Sequence, residues 1–213
     1  RTLLYWRGEF LRWHNSHWSE VDVAELRSHV YHALGGAVYE HETTVKGITA
    51  TEERPWHPDK RKVANVIEAL AAVGHLPAHN DPPSWIAAHS AAETGAAQMI
   101  SCRNGLLDMS RRVLVKHTPA LFNLVAVPFD YQPDPGVPRT WLDFLATIWP
   151  DDSDSVALLQ EYLGYVLSGR TDMQKMLLLI GPTRSGKGTI ARMLTELVGR
   201  LHVAGPTMAS LGT

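Results

Sequence analysis

One stretch near the end of the 213-residue chain constrains its fold more than any other. The apolar residues 176–180 are followed by Gly181, four further residues and the pair Gly186 and Lys187, and a helical pattern begins at Thr189. A buried strand, a glycine-rich turn and a helix in this order form the loop that binds the phosphates of a nucleoside triphosphate. The spacing therefore predicts a phosphate-binding loop between a strand at 176–180 and a helix.

The predicted loop should bind ATP together with Mg²⁺. Its glycines allow a tight turn that directs backbone N–H groups at the phosphate oxygens, and the positive end of the helix dipole faces the same oxygens. Lys187 is the predicted catalytic residue, because its ammonium group can reach the outer phosphates. A Ser or Thr usually follows this lysine and holds the metal, but Gly188 stands there, so Thr189 is the predicted metal-binding hydroxyl. The predicted nucleotide-binding residues are Gly181, Pro182, Thr183, Arg184, Ser185, Gly186, Lys187, Gly188 and Thr189.

The composition is that of a soluble globular protein, with 45% hydrophobic and 20% charged residues. The net charge of −2 indicates no overall basic surface of the kind that attracts nucleic acid. Cys102 is the single cysteine, which excludes an internal disulfide and fits a reducing cytoplasm. The sequence holds no apolar run of about 18 residues, so we expect no membrane span and a cytoplasmic location.

Hydrophobic periodicity predicts the elements of the first part of the chain. Aromatic and aliphatic residues on both sides of a turn at 7–9 predict a β-hairpin, and Trp18 is expected to begin a third strand. Apolar residues at helical spacing predict helices over 20–34 and from Pro58 to about Gly74. Residues 40–55 have no clear period and are interpreted as a loop or a frayed helix.

The rest of the chain is predicted to mix short strands with helices. Two strands are expected on either side of a turn at 109–111, and a further strand at 124–129. Prolines at 131–138 indicate a linker, and two amphipathic helices are predicted between 138 and 168. The segment 85–98 is interpreted as weakly helical.

Two groups of residues have more than one interpretation. The basic residues Lys60, Arg61 and Lys62, with Arg54 upstream, are either a solvated helix face or a contact to DNA phosphates. The aromatic residues of the first hairpin are either the core of a small domain or a stacking surface for bases. The eleven histidines show no recognisable metal-ligand spacing, so we interpret them as structural or surface residues.

The order of several motifs resembles the phage, plasmid and poxvirus primase–helicase family. Residues 102–108 (CRNGLLD) resemble an RNG signature of that family, followed by KHTP at 116–119 and VPFDYQP at 127–133. A Pro-Arg-x-Trp helix at 138–141 and the segment 159–165 then lead to the phosphate loop. The resemblance runs from about residue 3 to the end of the chain and is most specific in its middle part.

This resemblance implies a superfamily 3 helicase of phage or plasmid DNA replication in a bacterial host. Such proteins are ATP-hydrolysing ring hexamers that move along single-stranded or forked DNA, and a primase often lies upstream. The implied fold class is mainly α with short β-hairpins, followed by the start of an α/β P-loop ATPase domain. The expected domains are a helical collar-like domain at 1–171 and a truncated ATPase domain at 172–213, whose remaining catalytic residues would lie downstream.

Two other functions stay open at this point. The residues 186–189 (GKGT) also resemble the loop of small-molecule kinases, although that loop lies near the N-terminus of those proteins. The other alternative is that the isolated chain acts as a non-catalytic oligomerisation module, because the ATPase domain is expected to be incomplete and inactive. An exposed strand edge and exposed apolar surface are therefore predicted around residues 176–180.

Overall fold

The computed structural model describes residues 2–45, 48–86, 94–170 and 172–206. Within these ranges the helices are α1 (Val23–Leu34), α2 (Lys60–Gly74), α3 (Arg139–Ile148), α4 (Ser153–Leu167) and α5 (Lys187–Val198). The strands are β1 (Leu3–Trp6), β2 (Glu9–Trp13), β3 (Trp18–Glu20), β4 (Val38–Val45), β5 (Ile48–Pro55), β6 (Ser84–Trp85), β7 (Met99–Cys102), β8 (Gly105–Asp108), β9 (Val113–Val115) and β10 (Leu121–Phe122).

The prediction of a mainly α fold is wrong. The structure is 36% helical and 21% strand, and its strands form four small antiparallel sheets. The helical estimate was too high because most strands are only two to five residues long. A strand this short does not complete a recognisable alternation of apolar and polar residues.

Backbone contacts divide the chain into two compact units, one of Arg1–Trp13 and Ser19–Asn80, the other of His14–Trp18 and Asp81–Thr213. The functional domains predicted at 1–171 and 172–213 stay a prediction. No helix in the described ranges is long and apolar enough to cross a membrane.

The first unit builds its core from the predicted hairpin and two helices. Arg7 and Gly8 have positive φ values of 50° and 93°, as a two-residue hairpin turn between β1 and β2 requires. Asp22 and Asp59 cap α1 and α2 by accepting hydrogen bonds from the N–H groups of Ala24 and Lys62. The apolar stripes of these elements then meet in one cluster of Phe10, Val21, Leu26, Val30, Val63 and Ile67. The core interpretation of the hairpin therefore holds for Phe10.

The interpretation of residues 40–55 as a loop or frayed helix is wrong. Residues 40–45 and 48–55 belong to a β-ribbon of β4 and β5, paired in register from Val38 with Pro55 to Val45 with Ile48. Most of the ribbon's described side chains are exposed, with polar residues on both faces. Apolar residues therefore do not alternate with polar ones, and the period of two that normally indicates a strand is absent.

The second unit contains two small sheets around buried apolar residues. Strand β8 pairs with both β7 and β9, which confirms the predicted hairpin and adds one strand before it. The prediction of a strand at 124–129 is wrong. The strand in this region is β10, which lies just before these residues and pairs with β6. The weak helix predicted at 85–98 falls partly outside the described residues, and its described end is a 3₁₀ turn at Ala96–Gln98.

The two helices predicted between 138 and 168 are confirmed as α3 and α4. They share one core with α5, formed by the buried residues Leu145, Leu159, Leu163 and Ile190. Trp141 is partly buried and packs against this core. This three-helix core is the support on which the predicted phosphate loop rests.

Candidate nucleotide-binding site

The last three residues of the predicted loop, 187–189, are the first three residues of helix α5. Gly186 precedes the first residue of α5 with a left-handed backbone, φ 87°, and the N–H groups of Thr189 and Ile190 donate to its carbonyl at 2.9 and 3.1 Å. Gly186 has no side chain to cap the helix, so the first N–H groups of α5 receive no side-chain cap from it. An uncapped N-terminus of this kind is suited to an anion, since its N–H groups and dipole both favour negative charge.

Lys187 folds back over the loop. Its ammonium group donates hydrogen bonds to the carbonyl oxygens of Gly181 at 2.8 Å and Pro182 at 2.7 Å, and to the hydroxyl of Ser185 at 3.1 Å. The structure thus brings both ends of the predicted loop to one cation. A phosphate group that entered the loop would compete with these oxygens for the three N–H donors of the lysine.

The glycine at the start of the loop lies close to the Ser185 side chain, which would have to move for any larger residue. A Cβ atom at Gly181 would lie 2.8 Å from Ser185 Oγ, inside the closest distance that real Cβ atoms show. Thr183 and Arg184 form the exposed outer part of the loop, and Arg184 has a positive φ of 65°. Residues 181–186 therefore form a loop that leads directly into the first three residues of α5, 187–189, and the binding of nucleotide by these nine residues stays a prediction.

The predicted metal-binding hydroxyl has a partner within α5. Thr189 Oγ1 accepts a hydrogen bond from the guanidinium of Arg192 at 3.1 Å. A Cβ atom added at Gly188, where the usual hydroxyl residue stands, would meet no atom within 4 Å. The contact of Thr189 with Mg²⁺ stays a prediction, and the position after Lys187 has room for a side chain.

The strand predicted at 176–180 is wrong. These residues are assigned to no strand. Met176, Leu178 and Ile180 are 90%, 76% and 86% exposed, whereas the intervening leucines pack partly on the three-helix core. The predicted exposed apolar surface is therefore present, but as an extended segment without the hydrogen bonds of a strand.

A mostly apolar cavity of the second unit lies away from the loop. It has a volume of about 390 Å³ and a mostly apolar lining that includes Met99, Val127, Val166 and Val198. None of the residues 181–189 contributes to this lining. The candidate site is thus an exposed loop and not a closed pocket.

Comparison with known proteins adds an independent observation. Residues 5–150 match the family described as D5 N terminal like. The chain belongs to this family. The family is the N-terminal domain of D5-type primase–helicase proteins, and these proteins are enzymes. A search of the curated proteins found no match.

The D5 N-terminal-like segment ends directly after α3, so it contains the RNG residues but not the phosphate loop. Arg103 and Asn104 form the turn between β7 and β8 and hold the following linker in place. Arg103 donates to both carboxylate oxygens of Asp130 at 2.9 Å, and Asn104 exchanges two hydrogen bonds with the backbone of Tyr131. The Arg103 guanidinium lowers the pKa of the Asp130 carboxyl, and Asp130 in turn raises the pKa of Arg103.

The last residues of this signature are also structural. A Cβ atom at Gly105 would lie 2.7 Å from the carbonyl oxygen of Val115, so the pairing of β8 with β9 requires glycine there. Asp108 accepts hydrogen bonds from the hydroxyls of Ser110 and Thr94 and from two backbone N–H groups. The hydroxyls of Ser110 and Thr94 are the main causes of its lowered pKa. Asp108 thus holds the turn that follows β8.

Two further groups of residues were considered from the sequence. Arg54 pairs with Glu52, and Lys62 donates to the backbone oxygens of Trp56 and His57, so half of the predicted basic cluster contacts its own chain. Burial lowers the pKa of His17, and the neighbouring His14, His202 and His117 lower it further. Among the described residues, no three or more His, Cys, Asp or Glu side chains are grouped so that they could hold a metal ion.

Proposed function

We propose that this chain is part of an ATP-dependent DNA helicase or primase–helicase, and that it binds ATP through residues 181–189. The observation that carries the proposal is the geometry of the loop, in which Lys187 folds over the turn at the uncapped start of α5. The D5 N-terminal-like match supports it, because this domain occurs in primase–helicase proteins. That match favours the helicase function over the alternative of a small-molecule kinase.

The residues present fit the phosphates of a nucleotide. The N–H groups at the start of α5 would bind phosphate oxygens, and Lys187 would exchange its three loop acceptors for oxygens of the outer phosphates. This charge stabilisation should count most as negative charge redistributes during phosphoryl transfer. Lys187 is accordingly the residue to which we assign a catalytic role.

The fit to Mg²⁺ is weaker. Bound Mg²⁺ would neutralise charge on the phosphate oxygens, and Thr189 would be its nearest hydroxyl. This hydroxyl already accepts a hydrogen bond from Arg192, and Gly188 supplies no ligand. Hydrolysis therefore also requires acidic residues that the proposal assigns to another part of the complete enzyme, so the chain by itself should bind nucleotide without turnover.

The remaining parts of the proposal concern the complete enzyme. Its substrate would be single-stranded or forked DNA, and its active form would be a homo-hexamer, with a primase domain possible upstream. Its place would be the cytoplasm of a bacterial host, in the replication of a phage or plasmid. These assignments depend on the family resemblance.

A lysine pair offers a sharp test of nucleotide binding. Lys187→Ala should raise the Kd for a fluorescent N-methylanthraniloyl ATP, measured by fluorescence titration with Mg²⁺, by about tenfold or more. Lys175→Ala is the matched control, because Lys175 is exposed and lies before the loop. Equal affinities for the two variants would refute the assignment of the loop.

A further inference from the structure

We propose that helix α3 positions the phosphate loop, with Phe144 and Ile148 as the positioning residues that hold Gly186 at the start of α5. This inference rests on the proposed nucleotide-binding function and extends it to a helix inside the D5 N-terminal-like segment. It also gives a role to the Pro-Arg-x-Trp residues, with which α3 begins.

The contact is between side chains of α3 and the backbone of the loop. A Cβ atom at Gly186 would lie 2.6 Å from Ile148 Cδ1 and 3.1 Å from Phe144 Cζ. A separation of 2.6 Å is shorter than any real Cβ contact, so the two side chains fill the space that any other residue at 186 would need. Gly186 also has a φ of 87°, which glycine adopts without strain. Side chains of α3 therefore pack directly against the left-handed residue that precedes α5.

The supporting side chains are themselves held in place. The rings of Trp141 and Phe144 stack with their centroids 5.4 Å apart, and Leu145 on the same helix is 1% exposed. Ile190, one turn into α5, is 4% exposed and lies in the same core as Leu145. A close-packed interior transmits displacement because it has little free volume. A path of direct contacts thus connects Trp141 through Phe144 to Gly186.

A shift of Gly186 would act on the site itself. Its carbonyl accepts the first two hydrogen bonds of α5, from Thr189 and Ile190. The direction of these bonds determines where the remaining N–H groups of the first turn point. We propose that those N–H groups donate hydrogen bonds to the phosphate oxygens. Residues that fix Gly186 therefore preorganise the donors before nucleotide arrives. Because coupling between two sites is reciprocal, bound nucleotide should in turn stabilise α3.

Two substitutions that each shorten one side chain test this role in the 213-residue chain. Ile148→Val removes the Cδ1 atom nearest to Gly186, and Phe144→Leu removes the Cζ atom. Each variant should raise the Kd for N-methylanthraniloyl ATP with Mg²⁺ by about threefold or more. Hydrogen exchange of the α3 backbone should slow when this nucleotide binds to the wild type, and this slowing should be absent in Lys187→Ala.

Matched controls separate positioning from a general loss of packing. Ile67→Val makes the same chemical change in the core of the other unit, and Val156→Ala removes apolar contacts of α4 in the three-helix core. Both controls should keep the nucleotide Kd within about twofold of the wild type, even where the melting temperature falls. If Val156→Ala weakened nucleotide binding as much as Ile148→Val does, the inference would be overturned, since loosening of the core would then explain both increases in Kd.

The failure of this inference is distinguishable from the failure of the proposed function. If Lys187→Ala loses binding while Ile148→Val and Phe144→Leu bind as tightly as the wild type, the loop binds nucleotide but α3 does not position it. If the wild type binds no nucleotide, the proposed function is wrong and the inference falls with it. Nucleotide-dependent protection of α3 together with weaker binding by both variants is the result that supports the inference.

Discussion

The clearest prediction concerns a pair of adjacent leucines in α4. Leu159 is 2% exposed in the three-helix core, whereas Leu158 is 59% exposed on the other side of the same helix. Leu159→Ala removes three carbon atoms, which corresponds to about 2.4 kcal/mol of lost transfer free energy at about 0.8 kcal/mol for each. The cavity left between three helices adds about 1 kcal/mol or more, so we expect a loss of about 3–4 kcal/mol in the free energy of unfolding.

Urea denaturation followed by tryptophan fluorescence measures this loss, because Trp141 and Trp149 pack against the same core. At about 4 °C for each kcal/mol, the melting temperature should fall by about 12–16 °C. Leu159→Asp should cost still more, since it buries a charge without a partner. Leu158→Ala should change the free energy by less than about 0.5 kcal/mol. Equal costs for the two alanine variants would contradict the packing of α4 described above.

Three further predictions follow from individual positions. Gly105→Ala should destabilise the chain by about 1–3 kcal/mol in urea titrations, because its Cβ would lie 2.7 Å from the carbonyl oxygen of Val115, whereas Gly36→Ala, with open space around it, should not. The pKa of Asp108 is lower in the folded state, so its contribution to stability is present above the unfolded pKa of about 4 and is lost as the pH falls through the folded pKa. Urea midpoints of the wild type should therefore fall more steeply below about pH 4 than those of Asp108→Asn, and identical slopes would exclude this contribution. Gly188→Ser should fold normally, because a Cβ there meets no atom within 4 Å, and should make nucleotide binding more dependent on Mg²⁺. An unchanged Mg²⁺ dependence of the nucleotide Kd would show that a hydroxyl at 188 does not reach the metal.

The elements that sequence periodicity predicted well are those with a local cause. Helices α2, α3 and α4 carry apolar residues at helical spacing, and such a pattern depends only on residues within a few turns of one another. The first hairpin was also predicted, because its two-residue turn is specified by the residues of the turn itself. The β-ribbon of β4 and β5 was missed, since its exposed faces remove the alternation that marks a strand.

The segment 176–180 shows the opposite error. Its continuous apolar sequence is typical of a buried parallel strand, but a strand exists only where another strand pairs with it. The described part of the chain provides no such partner. Leu177 and Leu179 therefore pack on the helices, while the residues that alternate with them, 176, 178 and 180, face solvent.

The sequence by itself determined a glycine-rich loop followed directly by a helix, because backbone freedom and helix periodicity are local properties. It placed the start of that helix at Thr189, two residues after the observed start at Lys187. Only the tertiary structure decided what the loop rests on. The contact of Gly186 with Ile148 and Phe144 joins residues about forty positions apart, and its physical cause is the burial of apolar faces from three helices in one core. No local pattern specifies which helix closes such a core, since any amphipathic helix of similar length offers an equivalent stripe.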